Sequence, residues 1–358
     1  MIPILYESSE TEFTSNGLGR LRDCTSCTVT EERNGIYECD FEYPIDGAHF
    51  RDIYPGRIIG VEHDYTNDVQ PFDIVSASTP IDGVVTFHAV HISYRLTKIV
   101  NYAASSSGDT LALAFNSFET QTQLYTQFYF DTDMVGTDSH VGAFDGVPKS
   151  IRSMLGGVEG SVIDTFGGEL EFDMYNVHLW QRRGIDRDIN IRYGVNLTDF
   201  NDDLDYSESF NECWPYWIGQ DSNGDDTVAK TTLPVSSGMP SYNGRNETVA
   251  IDLSERWEDM PTTTQLQQEA LRYMTSNQTY LPSRNIEIQF INLKDTLEYA
   301  NLAPLFDCKL CDTVNVMLTR YGIEGRYKVV KVVYDVLRER YTEMELGNLN
   351  PSLSDVLK

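Results

Sequence analysis

At 358 residues and 41% hydrophobic content, the chain is long enough for two or three domains and too apolar to be broadly disordered. Its 27 basic against 55 acidic residues give a formal charge of -28, a surface that repels nucleic acid and anionic membranes but suits a conduit to which DNA must not stick. No run approaches the ~20 apolar residues of a membrane-spanning helix, and the MIPILYESSETEF start lacks the basic region and apolar length of a signal peptide.

Synthesis in a cytoplasm follows, so the six cysteines are expected to be free thiols. The first hundred residues read as β. Tyr37, Cys39, Phe41 and Tyr43 alternate with Glu38, Asp40 and Glu42 behind an Asn34-Gly35 hairpin signal. Residues 58–61, 72–75 and 84–96 supply further strands, separated by Gly, Pro and Asp turns as in a small barrel or sandwich. Composition shifts at the AASSSG run of 103–108, a domain boundary. Beyond it, 124–130 is aromatic-rich and predicts a strand. The segment 148–155 predicts a short helix, with Pro148 early, Ile151 and Leu155 four apart, and Gly156-Gly157 as the stop.

The stretch GGELEFDMYNVHLWQRRGIDRDINIRYGVNL at 167–197 predicts consecutive strands. Leu170, Phe172 and Met174 alternate with Glu169, Glu171 and Asp173, and Val177 and Leu179 with His178 and Trp180. Ile189, Ile191 and Tyr193 continue after the Arg183-Gly184 break, with polar residues on the open face. Acidic, turn-rich loops at 201–205 and 221–226 flank a Trp214-Pro215-Tyr216-Trp217 strand. The best helix spans 263–275, with Leu266, Ala270, Tyr273 and Met274 on one face and Thr262 with Gln265 spaced as a capping box. Strands return at 285–290, 314–318 and 327–337. The whole reads as β-rich α+β: a barrel-like 1–102, a mixed middle region 103–215, a second barrel-like region 216–345 carrying one helix, and a tail 346–358.

The residues that could carry chemistry are sparse. Cys24 and Cys27, with Cys308 and Cys311, form two CxxC pairs that could supply four thiolates to zinc. They lie nearly the length of the chain apart, without the flanking Gly and basic residues of a knuckle, and small buried apolar side chains are the plainer reading. Each pair is soon followed by Thr-Val, an echo too short to establish duplication. His88 and His91, three apart in a strand, face opposite sides and cannot chelate together. The loop 221–226 has some calcium-loop oxygens but no Gly at its sixth position, and Thr232 stands where the twelfth-position Glu belongs. Asp199, Asp202, Asp203 and Asp205 have nothing to position them. Trp214, Tyr216 and Trp217 could stack on sugar, although core or subunit contact is the simpler role. No H-E-x-x-H, G-x-S-x-G or Walker motif occurs, so no catalytic, cofactor-binding or metal residue is assigned.

The 167–197 stretch, with its Gly-Gly-Glu opening, its RG turn and its I-R-Y-G-x-N-L strand, resembles the tail-tip proteins of siphophages and Gram-positive prophages, the prophage endopeptidase tail family. The resemblance extends to VTEERNGIYECDFEYP (29–44), VHISYRL (90–96), VAIDLSERWEDMPTTTQLQQEA (249–270), LCDTVNV (310–316) and MELGNLNPSLSDVL (344–357). It implies a structural baseplate or tail-tip hub subunit at the virion tail tip, made in the host cytoplasm. Two barrel-like domains per subunit would form a pseudo-sixfold ring as a homotrimer, with the distal tail protein above, the tape-measure protein within, and DNA passing through the lumen. It also implies that lytic activity resides in C-terminal extensions, so no hydrolase activity is expected here. The competing reading is a cell-wall carbohydrate-binding or carbohydrate-hydrolysing β protein.

Overall fold

Alternating side chains at the N-terminus produce the expected strands. In order these are β1 (Ile4–Tyr6), β2 (Gly19–Arg20), β3 (Ser26–Glu32), β4 (Tyr37–Pro44), β5 (Ile58–Glu62), β6 (Val69–Ala77), β7 (Val84–His91) and β8 (Val100–Asn101). Tyr37, Cys39, Phe41 and Tyr43 are buried on one face of β4, as their spacing predicts. The β3–β4 turn is made at Asn34, which adopts φ 57°, a left-handed conformation that Asn tolerates. The computed structural model describes residues 1–62, 68–78, 83–101, 110–134, 147–158, 160–192, 199–220, 224–240, 244–257, 259–289 and 308–347. The boundary expected at 103–108, the start of the 221–226 loop, Tyr193, Phe290 and the tail from 348 onward lie outside these residues.

The strand expected over 84–96 ends at His91. Its imidazole Nδ1 accepts from the Ser93 amide and turns the chain into a 3-10 segment, Ile92–Thr97. The strand expected over 124–130 is also corrected. A helix, α1 (Leu111–Thr122), precedes it, residues 123–125 form a turn, and only β9 (Tyr129–Thr132) is extended. Leu124 and Tyr125 are exposed by 67% and 73%, so their apolar character is not that of a core strand. Next come β10 (Lys149–Ser150), α2 (Ile151–Leu155), capped by the Ser150 hydroxyl and ended at Gly156, and α3 (Val162–Phe166).

The 167–197 stretch forms β11 (Glu169–Asp173), β12 (Asn176–Trp180) and β13 (Asp186–Arg192). Met174, expected as the third inward residue of β11, instead makes the turn to β12 with φ 48°. β11, β12 and β9 form a small sheet, whereas β13 leaves it to pair in parallel with β20.

The remainder comprises β14 (Asp199–Asp205), β15 (Glu212–Gln220), β16 (Asp226–Lys230), β17 (Val235–Ser236), β18 (Thr248–Asp252), α4 (Thr263–Ser276), β19 (Ser283–Gln289), β20 (Thr313–Leu318), β21 (Ile323–Asp335) and β22 (Arg340–Gly347). The capping box of α4 is present, with Thr262 and Gln265 bonding reciprocally. Expected boundaries at 215/216 and 345/346 fall inside β15 and β22.

One 13-stranded sheet runs β14-β19-β22-β21-β3-β4-β7-β6-β5-β1-β2, with β20 and β13 branching from β21. The two β-rich ends of the chain are therefore joined edge to edge, by Lys331–Asp335 of β21 against Thr28–Glu32 of β3. Their side chains share a core with the middle region: Phe41 and Phe72, Phe118 and Phe172, Val316 and Leu346 belong to one cluster. A separate four-stranded sheet of β15 to β18, backed by α4, has its own smaller cores around Cys213 and Trp217.

Candidate functional site

Where β3, β11 and β21 converge, the structure buries charge. The Arg183 guanidinium lies 2.7 Å from Glu31 and 3.4 Å from Glu171, and its backbone amide donates to Glu169. Glu169 also pairs with Lys328 and lies 3.7 Å from Arg33. Burial opposes the Arg183 charge, yet Glu31 and Glu171 beside it hold its pKa above the ordinary range. The expectation that the polar residues of β11 face solvent is corrected at Glu169, which is 4% exposed. Gly184 follows, with no room for a Cβ, which would lie 1.9 Å from the Cys311 carbonyl oxygen. Asp312 closes the junction by accepting from the Ile185 amide at 2.8 Å and from Arg187 Nε at 2.7 Å.

Two more ties bind the middle region to the N-terminal sheet. The Asn34 side chain donates to Gly168 O and accepts from the Leu170 amide, at 3.0 and 2.8 Å. Arg152 lies 4.4 Å over the Phe172 ring and 4.8 Å over Tyr94, and donates to Gly35 O. Burial lowers its pKa. This arrangement neutralises charge and fixes three segments to one another. Its carboxylates are committed to cations, not poised as an acid and base pair.

The thiols do not meet as a four-sulfur site. Cys311 N–H bonds Val329 O, while Cys27 O receives the Val336 amide. One pair thus sits beside the middle of β21 and the other just past its C-terminal end, roughly 20 Å apart at ~3.3 Å per residue. Cys308 and Cys311 precede β20, and Cys24 precedes β3 while Cys27 lies within it; both strands pair with β21. Cys39, from the facing strand, places its sulfur 3.7 Å from that of Cys27, a proximity that its spacing did not reveal.

His88 and His91 do face opposite sides. His88 lies outward, 2.8 Å from Asp40, and His91 is fully buried and stacked on Tyr37. Because His91 Nδ1 accepts, its Nε2 carries the proton toward Gln70 Oε1, and Gln70 in turn donates to Asp173. This chain of bonds also links the N-terminal sheet to β11.

Trp217 is core, not a sugar platform: it is 1% exposed and its indole donates to Trp257 O at 2.9 Å. Trp214 is 41% exposed and shares the outer face of its sheet with Ile218 and Val228, each 55% exposed. Asp202, Asp203 and Asp205 lie on β14, an outer strand of the large sheet. A feature with no sequence signal is an open cleft of about 450 Å³ lined by Asn16, Arg20, Arg22, Asp23, Ala48 and His49, contributed by the segment around β2 and the turn at 48–49.

Residues 185–357 match the family described as prophage endopeptidase tail, so the resemblance read from the sequence is borne out. No curated protein matches the sequence. Among solved structures, the chain is similar to prophage tail protein gp18 from Listeria monocytogenes EGD-e, with TM-score 0.68 and 15% identity, covering 100% of this chain and 97% of that one. It is similar to the 43 kDa tail protein of prophage MuSo2 from Shewanella oneidensis, with TM-score 0.60, 12% identity and 100% of both chains covered. The tail protein from Neisseria meningitidis MC58 gives TM-score 0.56 at 10% identity, with 97% of this chain and 95% of that one covered. These overlaps show a shared β-rich fold over at least 97% of this chain.

Proposed function

We propose, from the match of residues 185–357 to the family described as prophage endopeptidase tail, that the chain is a structural subunit of a phage or prophage tail, acting as the hub at the tail tip. The family match carries the reading. The fold likeness to prophage tail proteins extends it over the remaining residues. Support from the structure is physical: buried ion pairs, an asparagine-held turn and a shared core tie the N-terminal, middle and C-terminal segments into a scaffold.

In this reading three copies form a ring below the distal tail protein. The tape-measure protein lies within, and DNA passes through a lumen whose acidity keeps it from binding. The two β-rich ends, 1–102 and 216–345, supply two similar wedges per subunit around the mixed 103–215 region, with 346–358 as a tail. The subunit is made in the host cytoplasm and resides at the virion tail tip, and these residues hydrolyse neither peptide nor peptidoglycan.

Light scattering combined with electron microscopy of the purified chain tests the reading. A ring-shaped trimer is expected, and a monomer that forms no ring at any concentration contradicts it. The carbohydrate alternative now depends on Trp214. Cell-wall polysaccharide binding that is lost on Trp214→Ala would favour it.

A further inference from the structure

The large sheet ends in strands of opposite charge. At one end β2 pairs only with β1 among the described residues. Beside it Arg20 and Arg22 are exposed around the 450 Å³ cleft. Arg20 Nε is held by Asn16 Oδ1 at 3.1 Å, and among the described residues neither guanidinium has a carboxylate partner. At the other end β14 pairs only with β19 among the described residues. Asp203 and Asp205, two residues apart, share its exposed face. An exposed leucine accompanies each end, Leu18 at 38% and Leu204 at 39%.

Two copies of a chain with formal charge -28 repel in most orientations. Association is favoured where a cationic patch such as the Arg20 and Arg22 cleft meets carboxylates. An open strand also leaves backbone donors and acceptors for a neighbour to use. Pairing different patches of the same molecule is a head-to-tail contact, the type that generates rings when the rotation closes.

We propose that the Arg20 and Arg22 cleft of one copy receives Asp203 and Asp205 of the next, so that the large sheets of successive subunits meet end to end around the ring. The inference rests on the ring-forming reading above and names the contact that closes it. Because the pairs lie at an exposed rim, they act chiefly on orientation and encounter, and salt weakens them.

The test is assembly of the full chain, followed by light scattering across concentration at low and high salt. Arg20→Glu with Arg22→Glu, or Asp203→Lys with Asp205→Lys, should raise the half-assembly concentration by roughly tenfold or more, since each sets like charges face to face. Combining all four substitutions should restore assembly, and unchanged thermal melting of each variant shows that the fold is intact. A ring indifferent to the reversals, or a fourfold variant that stays as weak as its parents, overturns the edge pairing and leaves the ring standing. A wild-type chain monomeric at every concentration overturns the ring and this contact together. Binding of a labelled single-stranded oligonucleotide that is lost on Arg20→Glu with Arg22→Glu would assign the cleft to a polyanion instead, which also overturns the proposal.

Discussion

Arg183 brings a charge to a place with little water: its side chain is 14% exposed and Glu31 opposite it is 8% exposed. Removing one partner of such a pair leaves the other desolvated without compensation, at a cost of about 3–5 kcal/mol. Arg183→Met is therefore expected to lower the urea unfolding free energy by that amount, with Arg183→Met plus Glu31→Gln recovering part of it. A single variant within about 1 kcal/mol of wild type would remove the network from the account of stability. The aromatic pair in β15 separates in the same way. Trp217→Ala should cost about 3–5 kcal/mol through the cavity it leaves, and Trp214→Ala no more than about 0.5 kcal/mol. Burial pushes the Cys311 thiol up to about 12 and Cys213 to about 11, from an ordinary 9.0. Both are neutral in the fold, so their contribution is complete below pH 9 and is lost as pH rises toward 12, where the unfolded thiolates are favoured. Unfolding followed over that window should fall more steeply for wild type than for Cys311→Ala; equal slopes would show that the thiol is not what titrates.

Elements legible in the sequence were those whose pattern is local. Alternation placed β4, β11 and β12, strands were also expected where β7 and the later part of β21 stand, and the Thr262–Gln265 spacing placed α4 to within a residue of its end. The helix α1 carried its signal in Leu111, Ala114, Phe115 and Phe118, at helical spacing and all buried, but the neighbouring run of exposed aromatics drew the strand expectation onto 124–130. Glu169 was not legible as a buried residue. Its alternation assigns it correctly to the face opposite Leu170, and what covers that face is Lys328, brought from far along the chain. The Arg183-Gly184 break was visible as a turn, while its reason was not. Cys311 O occupies the space a side chain would need, so Gly184→Ala should destabilise by about 3 kcal/mol or more, because backbone on both sides must shift. A melting temperature unchanged in that variant would show that the 309–312 loop yields instead.

At the scale of the molecule, the decisive pairing is the one no local pattern announces. β21 meets β3 through five residue pairs, joining strands about three hundred positions apart, and the N-terminal ammonium reaches Val336 O at 2.8 Å across the same ends. Two β-rich regions are plain in the sequence, but their fusion into one sheet depends on long-range register that composition cannot encode. The cleft at Arg20 and Arg22 was illegible for the same reason, since its lining combines the segment around β2 with the turn at Ala48 and His49, which only the fold brings together. The consequence concerns the matched region itself. Residues 185–357 coincide with the family segment, yet expressed alone they would lose β3 from one side of β21 and the middle region from the shared core. Val332 and Tyr334, each 4% exposed, would lie on a strand with an unpaired edge. Such a fragment is expected to be insoluble or to self-associate through β21, and adding residues 1–101 in trans should restore solubility in part. Size-exclusion chromatography with amide hydrogen exchange reads the outcome. A monodisperse monomer with β21 amides as protected as in the full chain would mean that the C-terminal sheet stands by itself, and that the β3–β21 seam is a docking contact between two independently stable units.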